Sequence, residues 1–221
     1  ERILVIANGL DLEVSVLPLL DGAAVIEMTN HIDVLETHDD HDEHDEHGHS
    51  HSHGDPHVWQ DPRRVAGALD TIATALAAHD IATCADAYRD ELLALDAEIE
   101  ALLAGIPDSA RILVTSHASL AYFADRYEFE VVGTVIPSTN TLAATNAADL
   151  ADLADTIERR DIPAIFTEQL ESTADADALA RRLGVDVVPL VTDALTDESG
   201  SDTYVGMMRH NANAIAEALT P

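Results

Sequence analysis

The sequence predicts an α/β protein whose second half contains a parallel β-sheet covered by helices. From residue 111 onward, short apolar runs alternate four times with longer amphipathic segments, and repeated β-then-α units build parallel sheets. Between residues 83 and 106, apolar residues recur at intervals of 4, 3, 4, 3 and 4, from Tyr88 to Ile106. This spacing places one apolar stripe along a single long helix.

The first 80 residues contain two apolar runs, one polar loop and one helical pattern. RILVIANG (2–9) is predicted to form a buried strand, and GAAVIEMT (22–29) is predicted to form a second strand. The His-rich loop, residues 38–55, has no hydrophobic periodicity, so it cannot bury apolar surface and is predicted to be disordered without metal. Residues 61–80 begin with Asp and Pro and place apolar residues at 65, 69, 72 and 76, which predicts a capped helix.

The long helix is predicted to end where Gly105 and Pro107 interrupt the pattern. At 1.5 Å per residue it would be roughly 36 Å long, enough to span a domain or to join two. The elements after it follow in strict alternation. Strands are predicted at 111–116, 130–135, 163–168 and 185–191, and helices at 118–127, 145–160, 173–183 and 202–219.

Composition excludes several functions. The 221 residues have a net charge of −31, and all eleven cations are arginine. A protein this acidic lacks the basic face that nucleic acids or anionic membranes require, and its surface is typical of a salt-adapted organism. The single cysteine, Cys84, excludes an internal disulfide and a Cys-rich zinc site, and its Ala-rich surroundings predict a small packing residue.

Three strands of the second half are followed by side chains that can bind metal: ILVTSH ends in His117, AIFTE in Glu168 and PLVTD in Asp193. Ligands bind at the carboxyl ends of parallel strands, so topology would bring the three together. Each one alone is equally well explained as a helix cap or a loop residue. Their coincidence at one edge predicts a site.

His57 is a fourth candidate. Pro56 precedes it and Trp59 follows it, and these neighbours should hold the backbone stiff, as a metal ligand requires. A packed, hydrogen-bonded histidine is the alternative. Imidazole and carboxylate ligands together favour zinc, whereas a Glu in place of His117 would favour manganese.

In several stretches the chain resembles the solute-binding proteins of zinc and manganese ABC transporters. NGLDLE (8–13) resembles the strand-end turn of the family's first lobe, and DPHVWQDP (55–62) resembles its Asp-Pro-His-x-Trp box, which follows a His-rich acidic loop in zinc-specific members. The matching segments of the second lobe are LVTSHASLAYFADRYEFEVVG (113–133), IPAIFTEQLES (162–172) and PLVTDALTDESGSDTYVGMMRHNANAIAEAL (189–219). The resemblance covers essentially the whole chain in order.

The resemblance implies two βα lobes with parallel sheets, joined by one long rigid helix, with the metal between them. Residues 1–82 would form the N-terminal lobe, 83–106 the connecting helix and 107–221 the C-terminal lobe. The ligands it implies are His57, His117 and Asp193, with Glu168 supporting them from behind. Family members begin with a further segment that contains one more histidine ligand, so we expect the 221 residues to be a truncated form.

The function implied is capture of zinc, or of manganese as the alternative metal, outside the cytoplasm by a monomer that delivers it to an ABC permease in the membrane. The protein would lie in the periplasm or at the cell surface. A lipid on the missing N-terminal segment is one way in which it would be anchored there. The His-rich loop would collect zinc as an accessory site through seven histidines: His38, His41, His44, His47, His49, His51 and His53.

Two other functions stay open. A zinc buffer or chaperone would bind many ions at similar affinity through the loop alone. A zinc hydrolase would use His57, His117 and Asp193 as ligands with Glu168 as general base, but the sequence has no HExxH motif.

Overall fold

The computed structural model of the chain describes residues 3–20, 22–36, 54–136, 146–169, 173–197 and 200–220. The chain divides into two compact units, Glu1–Leu92 and Leu93–Pro221. The seven histidines predicted to form the accessory site all fall between residues 37 and 53, outside the described residues. Among the described helices, none combines the length and the apolar character that crossing a bilayer requires.

The first unit contains a two-stranded parallel sheet. Strand β1 (Leu4–Ala7) pairs with β2 (Ala24–Glu27) in the register Leu4 to Ala24. A 3-10 turn, Met28–His31, follows β2 and packs against helix α1. Both predicted strands are present, each shortened at both ends. The predicted burial of the first strand is wrong, because Ala7 is the one buried residue of β1.

Helix α1, Pro62–Ala77, starts where the sequence predicted. The Asp61 carboxylate accepts a hydrogen bond from the Arg63 amide at 2.8 Å, and Pro62 occupies the first turn. This cap satisfies one of the amides that a helix N-terminus leaves without a partner. A second 3-10 turn, Val58–Gln60, lies directly before the cap and packs against α1.

Helix α2 covers Ala85–Leu103, within the predicted 83–106. The buried stripe runs through Leu92, Leu95, Ile99, Leu103 and Ile106, each 2% exposed or less. The prediction placed Leu102 on this stripe, and it is wrong, because Leu102 is 38% exposed. A straight helix completes one turn every 3.6 residues, so Leu103, four residues after Ile99, lies on the buried face in place of Leu102.

The second unit is built on one four-stranded parallel sheet in the order β4-β3-β5-β6. Its strands are β3 (Ile112–Thr115), β4 (Glu130–Thr134), β5 (Ala164–Glu168) and β6 (Asp186–Leu190), and its helices after α2 are α3 (Ala121–Tyr127), α4 (Ala147–Arg159), α5 (Ala174–Leu183) and α6 (Tyr204–Leu219). Each predicted element is present. The two central strands, β3 and β5, are buried at every residue, as expected for a parallel sheet that is covered on both faces.

Helices α4 and α5 cover one face of this sheet. Leu153 and Ile157 of α4 and Leu179 of α5 join Ile112 and Ile165 of the central strands in one apolar cluster. Helix α4 approaches β4 at Gly133, where a Cβ would lie only 2.6 Å from Leu153 Cδ1. A side chain at this position would require the Leu153 side chain to move.

Two sequence expectations need correction. Helix α3 begins at Ala121 rather than 118, because the Thr115 hydroxyl donates to the His117 carbonyl at 2.7 Å and the Ser119 amide donates to it at 3.0 Å. These bonds hold residues 116–119 in a loop.

Cys84 lies just before α2 and is exposed, so it is not a packing residue.

Candidate metal centre

Three of the predicted site residues lie at the carboxyl edge of the second unit's sheet. His117 follows β3, Glu168 is the last residue of β5, and Asp193 lies three residues beyond β6. Because β3, β5 and β6 are neighbours in the sheet, their ends deliver the three side chains to one place. His117 and Glu168 are buried, whereas the Asp193 side chain is 42% exposed.

The two ring nitrogens of His117 have different surroundings. Nδ1 lies 2.8 Å from Oε1 of Glu168, and Nε2 lies 3.8 Å from Oδ2 of Asp193. A carboxylate on Nδ1 holds a proton there, so the lone pair is on Nε2. The Nε2 lone pair and an Asp193 oxygen are then two atoms that could bind a metal ion on the same side of the ring, and Glu168 contacts the imidazole from the other side.

Glu168 is held as an anion. Burial raises the pKa of its carboxyl group, but the hydrogen bond and the electrostatic attraction of the His117 ring, together with hydrogen bonds from Thr192 and Ser119, outweigh burial, and the net pKa is lowered. A carboxylate that stays ionised while buried orients the neighbouring imidazole and makes it a stronger electron-pair donor.

A small cavity opens at this edge. Its volume is about 200 Å³, and Glu168, Leu190, Thr192 and Asp193 are among its lining residues. Pockets for organic ligands usually measure about 300–1,000 Å³. The cavity therefore suits an ion better than an organic substrate.

His57 lies in the first unit, in a turn built by its own sequence. Asp55 Oδ1 accepts the His57 amide hydrogen at 2.8 Å and lies 2.6 Å from the ring Nδ1. One carboxylate oxygen thus fixes both the backbone and the ring, in the Asx geometry that an Asp-Pro pair favours. The ring is 3% exposed and meets Trp59 edge-on, with centroids 5.2 Å apart.

Asp55 is a functional candidate that the sequence prediction missed. Its position two residues before His57 is the signal that could have revealed it, because an Asp at this spacing can reach the following amide and ring. In both units, then, a buried histidine has a carboxylate on Nδ1. This is the usual arrangement behind a metal-ligating imidazole.

The chain is similar to known metal-binding proteins over most of its length. Residues 3–218 match the family described as ZnuA, zinc-uptake complex component A, periplasmic. The zinc-binding protein TroA of Treponema pallidum is 33% identical over 178 residues, which are 75% of this chain and 57% of TroA. The manganese-binding lipoprotein MntA of Halalkalibacterium halodurans is 28% identical over 225 residues, which are 96% of this chain and 70% of MntA. This chain thus spans little more than half of TroA's length.

Solved structures agree with the fold. The periplasmic zinc-binding protein TroA of Treponema pallidum aligns with a TM-score of 0.81 and 28% identity, over 99% of this chain and 81% of that one. A periplasmic metal-binding protein of Candidatus Liberibacter asiaticus has a TM-score of 0.81 at 21% identity, over 98% of this chain and 80% of that one, which shows the fold alone.

The predicted fold class, α/β with parallel sheets, is therefore confirmed. The relatives are named as metal-binding proteins rather than enzymes, which counts against the zinc-hydrolase alternative. With a family match over residues 3–218, the chain belongs to the zinc-uptake complex component A family.

Proposed function

We propose that this chain captures a divalent metal ion outside the cytoplasm, zinc in preference to manganese, and delivers it to the permease of an ABC transporter. The observation that supports this most directly is the environment of His117, with Glu168 on Nδ1 and an Asp193 oxygen on the side of Nε2. The relatives bind zinc or manganese. An imidazole-rich ligand set favours zinc between these two metals.

The ligand set we propose is His57, His117 and Asp193. Each histidine has its Nδ1 against a buried carboxylate and so offers Nε2 to the ion. The assignment of residues 83–106 as the connector between an N-terminal and a C-terminal lobe is part of the same proposal. A chain that only captures and releases an ion needs neither a general base nor an open coordination position.

Removing residues 38–53 tests what the His-rich loop contributes. We expect the number of bound zinc ions to fall while one tightly bound ion stays, because repeated histidines give several weak, exchanging sites. The measurement is zinc titration with metal content determined by mass spectrometry, on the full chain and the shortened one.

The same titration separates the transport component from a zinc buffer. If the shortened chain loses its tightly bound ion together with the weak ones, the loop is the main binder. The proposed site would then be wrong, and a buffering role would be favoured.

Replacing Glu168 with alanine tests the support behind His117. We expect zinc affinity to fall by roughly 10–100-fold, as is usual when a carboxylate behind a metal-bound imidazole is removed. The measurement is the zinc dissociation constant by competition with a chelator. Glu158, an exposed carboxylate on α4, gives the control variant Glu158→Ala, and equal affinities in the two variants would contradict the role given to Glu168.

A further inference from the structure

The turn that follows β1, residues 8–13 (NGLDLE, here the NGLDLE turn), is held by hydrogen bonds to both of its ends. The Glu13 carboxylate accepts from the Asn8 amide at 2.6 Å and from the Gly9 amide at 3.2 Å. The Asn8 carbonyl accepts from the Thr29 amide at 3.0 Å and from the Thr29 hydroxyl at 2.9 Å. The position of Asn8 is therefore fixed relative to the sheet.

Three consecutive residues of this turn have left-handed backbone angles, with φ of +96° at Gly9, +56° at Leu10 and +61° at Asp11. Glycine accepts this geometry, but leucine and aspartate adopt it at an energetic cost. At Gly9 a Cβ would lie 2.2 Å from the Thr29 hydroxyl, so no larger residue fits. Backbone strain that the surrounding structure maintains is found most often where function requires a fixed geometry.

The turn contacts the segment that precedes His57 at two places. The buried Asn8 side chain donates from Nδ2 to the Pro56 carbonyl at 2.9 Å. The Leu10 side chain packs on Gly54, where a Cβ would lie 3.2 Å from Leu10 Cδ2. Neither contact was predicted from the sequence.

The Pro56 carbonyl and the His57 amide belong to one planar peptide group. The carbonyl end accepts from Asn8 at 2.9 Å, and the amide end donates to Asp55 at 2.8 Å. With both ends of the plane held, the direction of the His57 Cα–Cβ bond is set before any ion arrives. Asp55 then holds the ring itself.

We propose that the NGLDLE turn is a clamp for the metal ligand His57, with Asn8 as a positioning residue that acts through the Pro56 carbonyl. This inference rests on the function proposed above. A ligand whose backbone is already fixed loses little conformational freedom when the ion binds, so zinc is held more tightly and leaves more slowly. Asn8 itself does not touch the ion.

The test replaces Asn8 with aspartate, which keeps the shape but sets a carboxylate oxygen against the Pro56 carbonyl. Asn30→Asp is the matched control, because it makes the same charge change at an exposed position of the same unit. In the apo full chain, we expect the His57 and Val58 amides to exchange hydrogen about 10-fold faster in Asn8→Asp, and zinc to be held about 10-fold less tightly against a competing chelator, within the range for groups behind a metal ligand. Asn30→Asp should match the original chain in both measurements.

A second pair of variants tests the clamp by sterics. Gly54→Ala should crowd Leu10 and the Leu35 carbonyl and weaken zinc retention. The double variant Gly54→Ala with Leu10→Ala should restore part of it, because it relieves the Leu10 contact. If the contact between Leu10 and Gly54 only stabilised the fold, zinc retention would not recover in the double variant. Loss of the Leu10 side chain would then lower stability further. Thermal unfolding of each variant shows whether the first unit stays folded.

Two outcomes overturn the inference. One is an Asn8→Asp chain whose His57 and Val58 amides exchange at the original rate and whose zinc retention is unchanged. The other is a Gly54→Ala defect that Leu10→Ala worsens. Failure of the proposed function is a separate result, in which His57→Ala would hold zinc as tightly as the original chain. In that case, hydrogen exchange of the His57 and Val58 amides in Asn8→Asp would still decide whether the clamp exists.

Discussion

We expect zinc affinity at the proposed site to fall by more than about 100-fold when His117 is replaced by alanine. The substitution removes a buried ligand nitrogen and leaves Glu168, whose Oε1 lies 2.8 Å from His117 Nδ1, as a buried carboxylate without its imidazole. Loss of a group behind a ligand costs roughly 10–100-fold, so loss of the ligand itself should exceed that range. The chain should keep its fold, since the loop after β3 is held by backbone contacts of His117.

The measurement is competitive titration with zinc and manganese in the chain that lacks residues 38–53, with metal content determined by mass spectrometry. His79→Ala is the control, because His79 is exposed just beyond α1. One zinc ion that survives loop removal, survives His79→Ala and is lost in His117→Ala would establish the site. Several weakly bound ions that His117→Ala leaves unchanged would show instead that the loop is the only binder.

The second unit could be predicted closely because local pattern and topology agree there. Four apolar runs followed by amphipathic segments leave little choice beyond a parallel sheet, whose strands all end at one edge. The order that makes β3, β5 and β6 neighbours is seen only in the structure. His117, Glu168 and Asp193 were found from this rule alone, without any knowledge of distances. The contact between Glu168 and His117 Nδ1 is a consequence of the same geometry.

The first unit could be predicted less well, because its organisation depends on contacts distant in sequence. Asn8 reaches Pro56 across 48 residues, and no periodicity signals such a bond. The left-handed angles of Leu10 and Asp11 contradict the local preference of both residues, so only the surrounding structure reveals them. Asp55 was missed as well, although turn chemistry connects it to His57 locally and could have revealed it.

A buried ion pair connects α2 to α3 in the second unit. Arg126 donates to both carboxylate oxygens of Asp96, at 2.6 and 2.7 Å, and to Glu100 at 3.0 Å. The Asp96 side chain is 2% exposed, and the Tyr127 hydroxyl donates to it at 3.4 Å. The hydrogen bond that Arg126 donates to Asp96 raises the pKa of Arg126 well above its usual range. Burial distinguishes this pair from the exposed Arg209–Glu98 pair on α2, which has the same two-pronged geometry.

Arg126→Met should lower the free energy of unfolding by about 3 kcal/mol or more. Removing one member of a buried pair leaves an uncompensated charge in the interior, at a cost of about 3–5 kcal/mol. For a chain of this size the thermal midpoint changes by about 2–4 °C per kcal/mol, so a decrease of about 6 °C or more is expected. The measurement is thermal and urea unfolding followed by circular dichroism.

Arg209→Met is the matched control. Arg209 also joins another helix to α2, through Glu98 at 2.8 Å, but the two side chains are 49% and 51% exposed. Such pairs contribute about 0–1 kcal/mol. Adding Asp96→Leu to Arg126→Met should recover much of the lost stability, because the buried charge is then gone. Equal losses for Arg126→Met and Arg209→Met, or no recovery in the double variant, would show that burial of the Asp96 charge does not determine the cost.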